Sequence, residues 1–363
     1  MRAGTFPIES DANPNFSMRT FTLSDPKTNQ DVSGGGSGQD VDFSSIRELV
    51  GEDMRATDAL IEEELHSDVV LVNQISGYII HSGGKRLRPL LVLLAAYVFG
   101  SNEGRKHIAL AAIIEFIHTA TLLHDDVVDA SDLRRGQETA NAVWGNNASV
   151  LVGDFLYSRA FQMMVKVGNM RIMEIFADIT NAIAEGEVMQ LLNCHEPDTT
   201  EEQYLNVIRA KTAKLFEAAT QISAVLHQRP REEEQAMADF GLHLGTAYQL
   251  VDDVLDYRGA IDKIGKNIGD DLAEGKPTLP LIYAMRVGTE SQAAMIRDAI
   301  REGQREQIQR IIQTVESTGA IAYTAAAAKA EAKLAFQSLE IIPPSRYRDA
   351  LEGLLAFSVN RAY

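Results

Sequence analysis

From about Val41 onward, apolar residues recur at three-to-four spacing along most of the chain, the period that gathers them on one face of a helix. Phe43 to Leu65 combines that stripe with many acids, the pattern of an amphipathic outer helix. Val69 to His81 predicts the next helix, and Gly83-Gly84 stops it. Pro89 stands where a new helix can begin. Leu90 to Tyr97, Ile108 to Leu123, Ala148 to Val167, Ile172 to Leu192, Tyr204 to His227 and Ala236 to Tyr257 continue the series. Ala320 to Leu339 has high helix propensity, and Pro343-Pro344 separates it from a last helix ending near Val359. Few runs alternate with period two, and no Asn-Gly or Asp-Gly pair marks a hairpin. The pattern predicts one all-α domain over residues 43–363, larger than a four-helix bundle and with room for a cavity between helices.

Residues 1–42 break this pattern. They are polar, rich in Ser, Asn, Asp and Gly, and include SGGGSG at Ser33 to Gly38, the composition of a flexible tail. The tail lacks the apolar core of a secretory signal, and its acids outnumber its bases, unlike a mitochondrial transit peptide.

Across all 363 residues, 45% are hydrophobic and 23% charged, as in a soluble globular protein. No segment is expected to span a bilayer; Leu90 to Phe99 is about half the length required. Cys194 is the single cysteine, which excludes an intrachain disulfide and suits a reducing cytoplasm. A net charge of -17 argues against nucleic-acid binding. It would also repel anionic substrates, so any anion site must be built from local basic clusters.

The chemistry concentrates in a few stretches. LLHDDVVDASDLRRG places Asp125, Asp126 and Asp129 behind an apolar helical run, with Arg134 and Arg135 just beyond. Asp125 and Asp129 share a helix face, where like charges repel unless a cation intervenes. Mg²⁺ is such a cation, held by one or two carboxylates and completed by water and phosphate oxygens. The same spacing returns at Asp252, Asp253 and Asp256, which makes a chance solvated acidic end a poor explanation. GGKRLRP offers Lys85, Arg86 and Arg88 beside paired glycines that allow close backbone approach. Lys211, Thr212 and Lys214 fall on a helix, and Lys266 and Lys276 flank GDDLAEG. Separate cationic groups together with metal-binding carboxylates suggest two diphosphates bound side by side.

GGKRLRP, DDVVD with its RRG, DDVLD and GKNIGDDLAEGKPTLP, in that order, resemble the trans-isoprenyl diphosphate synthases over nearly everything after the tail. The resemblance implies an isoprenoid-synthase-like helical bundle around a central cavity, working as a homodimer. It also implies an activity: isopentenyl diphosphate adds repeatedly to an allylic diphosphate, such as farnesyl diphosphate, to build a polyprenyl chain for a quinone. On the family pattern, Asp125, Asp129 and Asp252 hold two or three Mg²⁺ ions on the allylic diphosphate, which Arg134, Lys211, Lys266 and Lys276 also contact. Lys85, Arg88, His118 and Arg135 hold isopentenyl diphosphate, while Thr212 and Gln249 face the reacting carbons.

The hydrocarbon tail is expected to run back from the first aspartates past Thr121, Ala120 and Ile117, with Phe161, Met163 and Met164 lining a deeper floor. In the family, small residues at 120 and 121 go with long products, here octaprenyl, with nonaprenyl, decaprenyl or a shorter geranylgeranyl product as the alternatives. Three other readings are weaker. Glu115-x-x-His118 and Glu63-x-x-His66 have di-iron spacing, but that leaves the basic and aspartate motifs unused. A terpene cyclase would resemble the chain at the first aspartate cluster only. A catalytically silent partner subunit would be expected to have lost one of the two clusters.

Overall fold

The computed structural model describes residues 43–100, 104–134, 136–258, 269–303 and 307–360, so the expectation of a flexible tail over residues 1–42 lies outside the described residues. Helix follows helix. They are α1 (Phe43–Glu48), α2 (Gly51–Leu65), α3 (Val70–His81), α4 (Leu87–Val98), α5 (Lys106–Val128), α6 (Ala140–Trp144), α7 (Asn146–Val167), α8 (Met170–Asn193) and α9 (Glu201–Ile208). After a five-residue π-helical turn, Arg209–Ala213, come α10 (Lys214–Leu226), α11 (Arg231–Arg258), α12 (Asp270–Ala273), α13 (Leu279–Val287), α14 (Glu290–Glu302), α15 (Ile308–Ser317), α16 (Ala320–Ser338) and α17 (Arg346–Asn360). Among the described residues the only sheet is a two-residue hairpin, Leu133–Arg134 against Gln137–Glu138.

Local signals set the boundaries. Gly168, in the left-handed region at φ 68°, ends α7, and the Asn169 side chain caps α8 by accepting from the Ile172 N–H. Thr200 and Gln203 form a reciprocal capping box that starts α9. The expected helix from Phe43 to Leu65 is broken at Leu49-Val50, and the one expected from Tyr204 to His227 is interrupted by the π turn.

Two apolar clusters hold the helices together. The larger joins α4, α5, α7, α8 and α10 through fully buried rings such as Phe116, Phe176 and Phe216. The smaller packs the C-terminal half of α11 against α13, α15 and α16 through Leu250, Leu281 and Ile311. Each such side chain stabilises by about 1.5–3 kcal/mol relative to exposure, which is why α4 and α5 tolerate being apolar nearly all round. Contrary to the sequence expectation, α5 has the length and apolar composition to cross a membrane. Yet 72% of its apolar window is buried inside the protein, so it is the central core helix.

Candidate active site

Both aspartate motifs sit in the last turns of helices, Asp125 to Asp129 at the end of α5 and Asp252 to Asp256 near the end of α11. There the helix dipole is negative, so carboxylates are disfavoured unless cations are brought to them. The fold brings lysines. Lys211 Nζ, from the π turn, lies 3.6 Å from Asp125 and 2.6 Å from Glu187, and Lys276 Nζ lies 2.9 Å from Asp129. Burial alone would lower the Lys276 pKa, but Asp129, Glu274 and Asp271 outweigh it and raise it, so the ammonium stays charged. These groups face a cavity of about 340 Å³ walled by α5, α8, α9, the π turn, α11 and the segment Lys276 to Thr278.

Within each motif the aspartates do different jobs. Asp125, Asp129 and Asp252 reach the cavity wall. Asp126 is fully buried and accepts from the Arg134 guanidinium at 2.7 Å, which aims Arg134 at the cavity. Burial raises the Asp126 pKa, and Arg134 opposes that rise. Asp253 is buried too and accepts from the Tyr204 hydroxyl at 2.5 Å and from Gln249 Nε2 at 2.9 Å. Burial, with the charge of Asp271, pushes its carboxyl up to about 8. Because Gln249 spends its NH₂ on Asp253, its carbonyl oxygen is left to accept from the Thr212 hydroxyl at 3.2 Å. An amide oxygen and a hydroxyl oxygen thus lie beside the aspartates as oriented dipoles.

A second polar group lines the same cavity. Arg88 donates to His118 Nε2 at 3.0 Å, which makes Nε2 an acceptor and leaves the ring proton on Nδ1. The Arg88 guanidinium also stacks 4.5 Å above Phe216. Thr121 completes this wall, its hydroxyl donating to the His118 carbonyl at 2.7 Å.

The cavity therefore collects Asp125, Asp129, Asp252, Arg134, Lys211, Thr212, Gln249, Lys276, Arg88, His118 and Thr121. It does not collect all the expected residues. Lys85 stacks over Phe357 at 4.8 Å and is not part of the wall. Arg86 turns inward, donating to Glu115 at 2.5 Å and to the Ile80 carbonyl at 3.2 Å, so it braces α4 on α5. Ala120, Ile117, Met163 and Met164 are buried in the core, off the wall, and Phe161 is exposed on α7. Arg135 and Lys266 lie outside the described residues. The di-iron alternative loses its ligands, since Glu115 is bound to Arg86 and His118 to Arg88.

Sequence reasoning missed Glu187, Gln190, Asn193, Tyr204, Tyr248 and Asp271, all on the wall. Three of them carry a readable signal: Glu187, Gln190 and Asn193 recur every third residue near the end of α8. Burial, with the charge of Asp125, pushes the Glu187 carboxyl up to about 7.

The donor set suits a hard divalent cation. Asp125, Asp129 and Asp252 offer oxygens only, yet no three metal-binding side chains are already gathered among the described residues. An ion that takes one or two carboxylates and completes its shell from water and diphosphate fits that arrangement.

The chain belongs to the polyprenyl synthetase family, which matches residues 69–317. Its activity is that of a prenyl-transferring polyprenyl diphosphate synthase. It is 51% identical over 322 residues to the octaprenyl diphosphate synthase of Escherichia coli (strain K12), covering 88% of this chain and 99% of that protein. An all-trans-nonaprenyl-diphosphate synthase (geranyl-diphosphate specific) of Rhodobacter capsulatus is 48% identical, over 88% of this chain and 99% of the relative. Among solved structures, a polyprenyl synthase from Caulobacter crescentus CB15 complexed with calcium and isoprenyl diphosphate superposes with a TM-score of 0.85. It is 42% identical and covers 91% of this chain and 100% of its own.

Proposed function

We propose that this protein condenses isopentenyl diphosphate repeatedly onto an allylic diphosphate, such as farnesyl diphosphate, and releases all-trans octaprenyl diphosphate for a quinone side chain. The observation that carries the reading is one cavity lined both by aspartates with cations beside them and by a further arginine–histidine pair, which suits two anions. Asp125, Asp129, Asp252, Lys211, Lys276 and Arg134 form the first group, and Arg88 with His118 forms the second. Asp125, Asp129 and Asp252 would hold two or three Mg²⁺ ions, which would supply charge neutralisation for the leaving diphosphate. Lys211, Lys276 and Arg134 add fixed positive charge to the same group as the allylic carbon–oxygen bond breaks. Arg88 and His118 hold the second diphosphate so that its double bond faces the allylic carbon; the new carbon–carbon bond forms there, and a proton is lost to restore the alkene. Thr212 and Gln249 turn oxygen dipoles toward the transient positive charge, and the buried walls keep out water that would trap it.

Identity to the octaprenyl relative supports the product assignment. Homodimer formation is supported by apolar side chains left exposed on the neighbouring helices α7 and α8, among them Leu151, Val165, Val188 and Leu192. We place the enzyme in the cytoplasm, in keeping with its one unpaired cysteine.

The test incubates the purified protein with isopentenyl and farnesyl diphosphates and Mg²⁺, then chromatographs the dephosphorylated products. Octaprenol is expected, and none should form without isopentenyl diphosphate or in the presence of excess chelator. A nonaprenol or decaprenol peak would overturn the chain length, and product from the allylic substrate alone would overturn the two-site reading.

A further inference from the structure

The π turn that delivers Lys211 and Thr212 to the cavity is a rare backbone form, frequent at functional sites, and three contacts hold it. Two glycines grip it from either side. A methyl group on Gly186 of α8 would lie 2.7 Å from the Lys211 backbone nitrogen, and one on Gly245 of α11 would lie 2.6 Å from Ala213 Cα. The third hold is a side chain. Glu331 of α16 accepts from the Arg209 guanidinium at 3.0 Å through one oxygen and meets His243 Nδ1 of α11 at 2.5 Å through the other. Arg209 is the first residue of the turn, two before Lys211.

Glu331 is not part of the cavity wall, yet it is buried, and one of its two bonded partners is the guanidinium that opens the turn. Burial by itself would raise its pKa, but the hydrogen bonds and charges of His243 and Arg209 outweigh that and hold it below the usual carboxylate value. The carboxylate thus ties the start of the turn to two long helices at once, while the glycines let those helices press close. With Glu331 removed, the turn keeps its packing but loses the tether that fixes its rotation.

We infer that Glu331 is a positioning residue for prenyl transfer: through Arg209 and His243 it sets the π turn so that Lys211 and Thr212 meet the allylic diphosphate and the reacting carbon. The inference rests on the role proposed above for Lys211.

Steady-state kinetics on Glu331→Ala, Glu331→Gln and Lys211→Ala, each checked for folding by thermal melting, test it. A displacement of about 1 Å at a reacting centre can cost up to about a hundredfold, so Glu331→Ala should lower kcat by on the order of ten- to a hundredfold and raise the KM for the allylic diphosphate. The KM for isopentenyl diphosphate should stay within about twofold, because Arg88 and His118 are not on the turn. Glu331→Gln, which can still accept from Arg209 and donate to His243, should recover part of kcat. If folded Glu331→Ala turns over like wild type, or if both KM values rise together, the inference is wrong. If Lys211→Ala itself is near wild type, the underlying role of Lys211 is wrong instead. Should Glu331→Ala fail to fold, the half-exposed Arg209→Gln cuts the same tether from the other end and must show the same split of KM values.

Discussion

Asp125 and Asp252 stand where helix dipoles oppose them, and Lys211 Nζ meets Asp125 at 3.6 Å. Replacing either with alanine should cost several orders of magnitude in kcat, given that one element stabilising developing charge is commonly worth about 3–4 kcal/mol. Turnover assays with saturating Mg²⁺ check this, and near wild-type rates would remove the metal assignment. Arg88→Ala should act differently, raising the KM for isopentenyl diphosphate by about tenfold or more, since a hydrogen bond to a charged group is worth about 1.5–3 kcal/mol. Equal rises for both substrates would show that the two anion groups are not separate sites. Remote from the cavity, buried His107 of α5 contacts Asp53 of α2 at 3.0 Å, and burial lowers its pKa below 6.5, with Asp53 partly opposing. Below 6.5 the unfolded chain binds more protons at this group than the folded chain does, so its contribution, full above 6.5, is lost as pH falls through the folded value. Urea midpoints compared between about pH 7.5 and 5.5 should fall more steeply for wild type than for His107→Gln. At this scale the motif residues that meet solvent were legible, because repeated carboxylates without a cation make poor sense. Gln249, one helical turn before Asp253, could have been read as its partner, whereas Tyr204 reaches Asp253 from α9 and Arg134 folds back on Asp126 only in the tertiary structure.

At the scale of elements, the loop that carries Lys276 is locked from behind. His195, itself at φ 63°, donates its backbone N–H to the Gly275 carbonyl at 2.8 Å, and its Nδ1 meets the Ile300 carbonyl at 3.0 Å. Gly275 adopts φ 70°, and a methyl group there would sit 2.4 Å from the His195 ring. Gly275→Ala should therefore lower stability by about 1–3 kcal/mol through backbone strain and shift Lys276 off Asp129. The KM for the allylic diphosphate should rise as thermal stability falls; an unchanged melting temperature with unchanged kinetics would show that the loop is not locked here. Most helices were readable from the 3.6-residue period. The π turn was not, since one added residue in a helix barely disturbs the apolar spacing of Tyr204, Ile208 and Leu215, and the need for it lies in Lys211 and Gly186, far apart in sequence. The Gly83-Gly84 stop was readable, but not that Arg86, at φ 50°, would start α4 in a left-handed conformation and bury its charge on Glu115.

For the whole molecule, the fold class followed from the pattern of apolar residues, while assembly and product length depend on surfaces that no period reveals. Leu192 is 74% exposed on α8 and Leu151 66% exposed on α7, and large apolar side chains left open to solvent are what an interface would cover. A Val188→Asp, Leu192→Asp double variant should sediment as a monomer where wild type sediments as a dimer; a monomeric wild type would end the homodimer proposal. Product length is proposed to depend on α5. The cavity of about 340 Å³ is near the lower limit for small-ligand pockets, so on the proposed function it would house the reacting heads and a growing tail would leave past one wall. Upstream of the aspartates the α5 wall is His118, Thr121 and Leu122, with Thr121 one turn before Asp125, whereas Ala120 is buried in the closed core. Thr121→Tyr should accordingly place a ring across the exit and shift the product to shorter prenols while the first condensations continue. Ala120→Tyr should instead overpack the core, costing about 1–3 kcal/mol of stability. Chromatography of dephosphorylated products from a folded, active Thr121→Tyr enzyme decides the matter: an unchanged octaprenol profile would mean that the tail leaves by the α8 or α11 side and never crosses this face of α5.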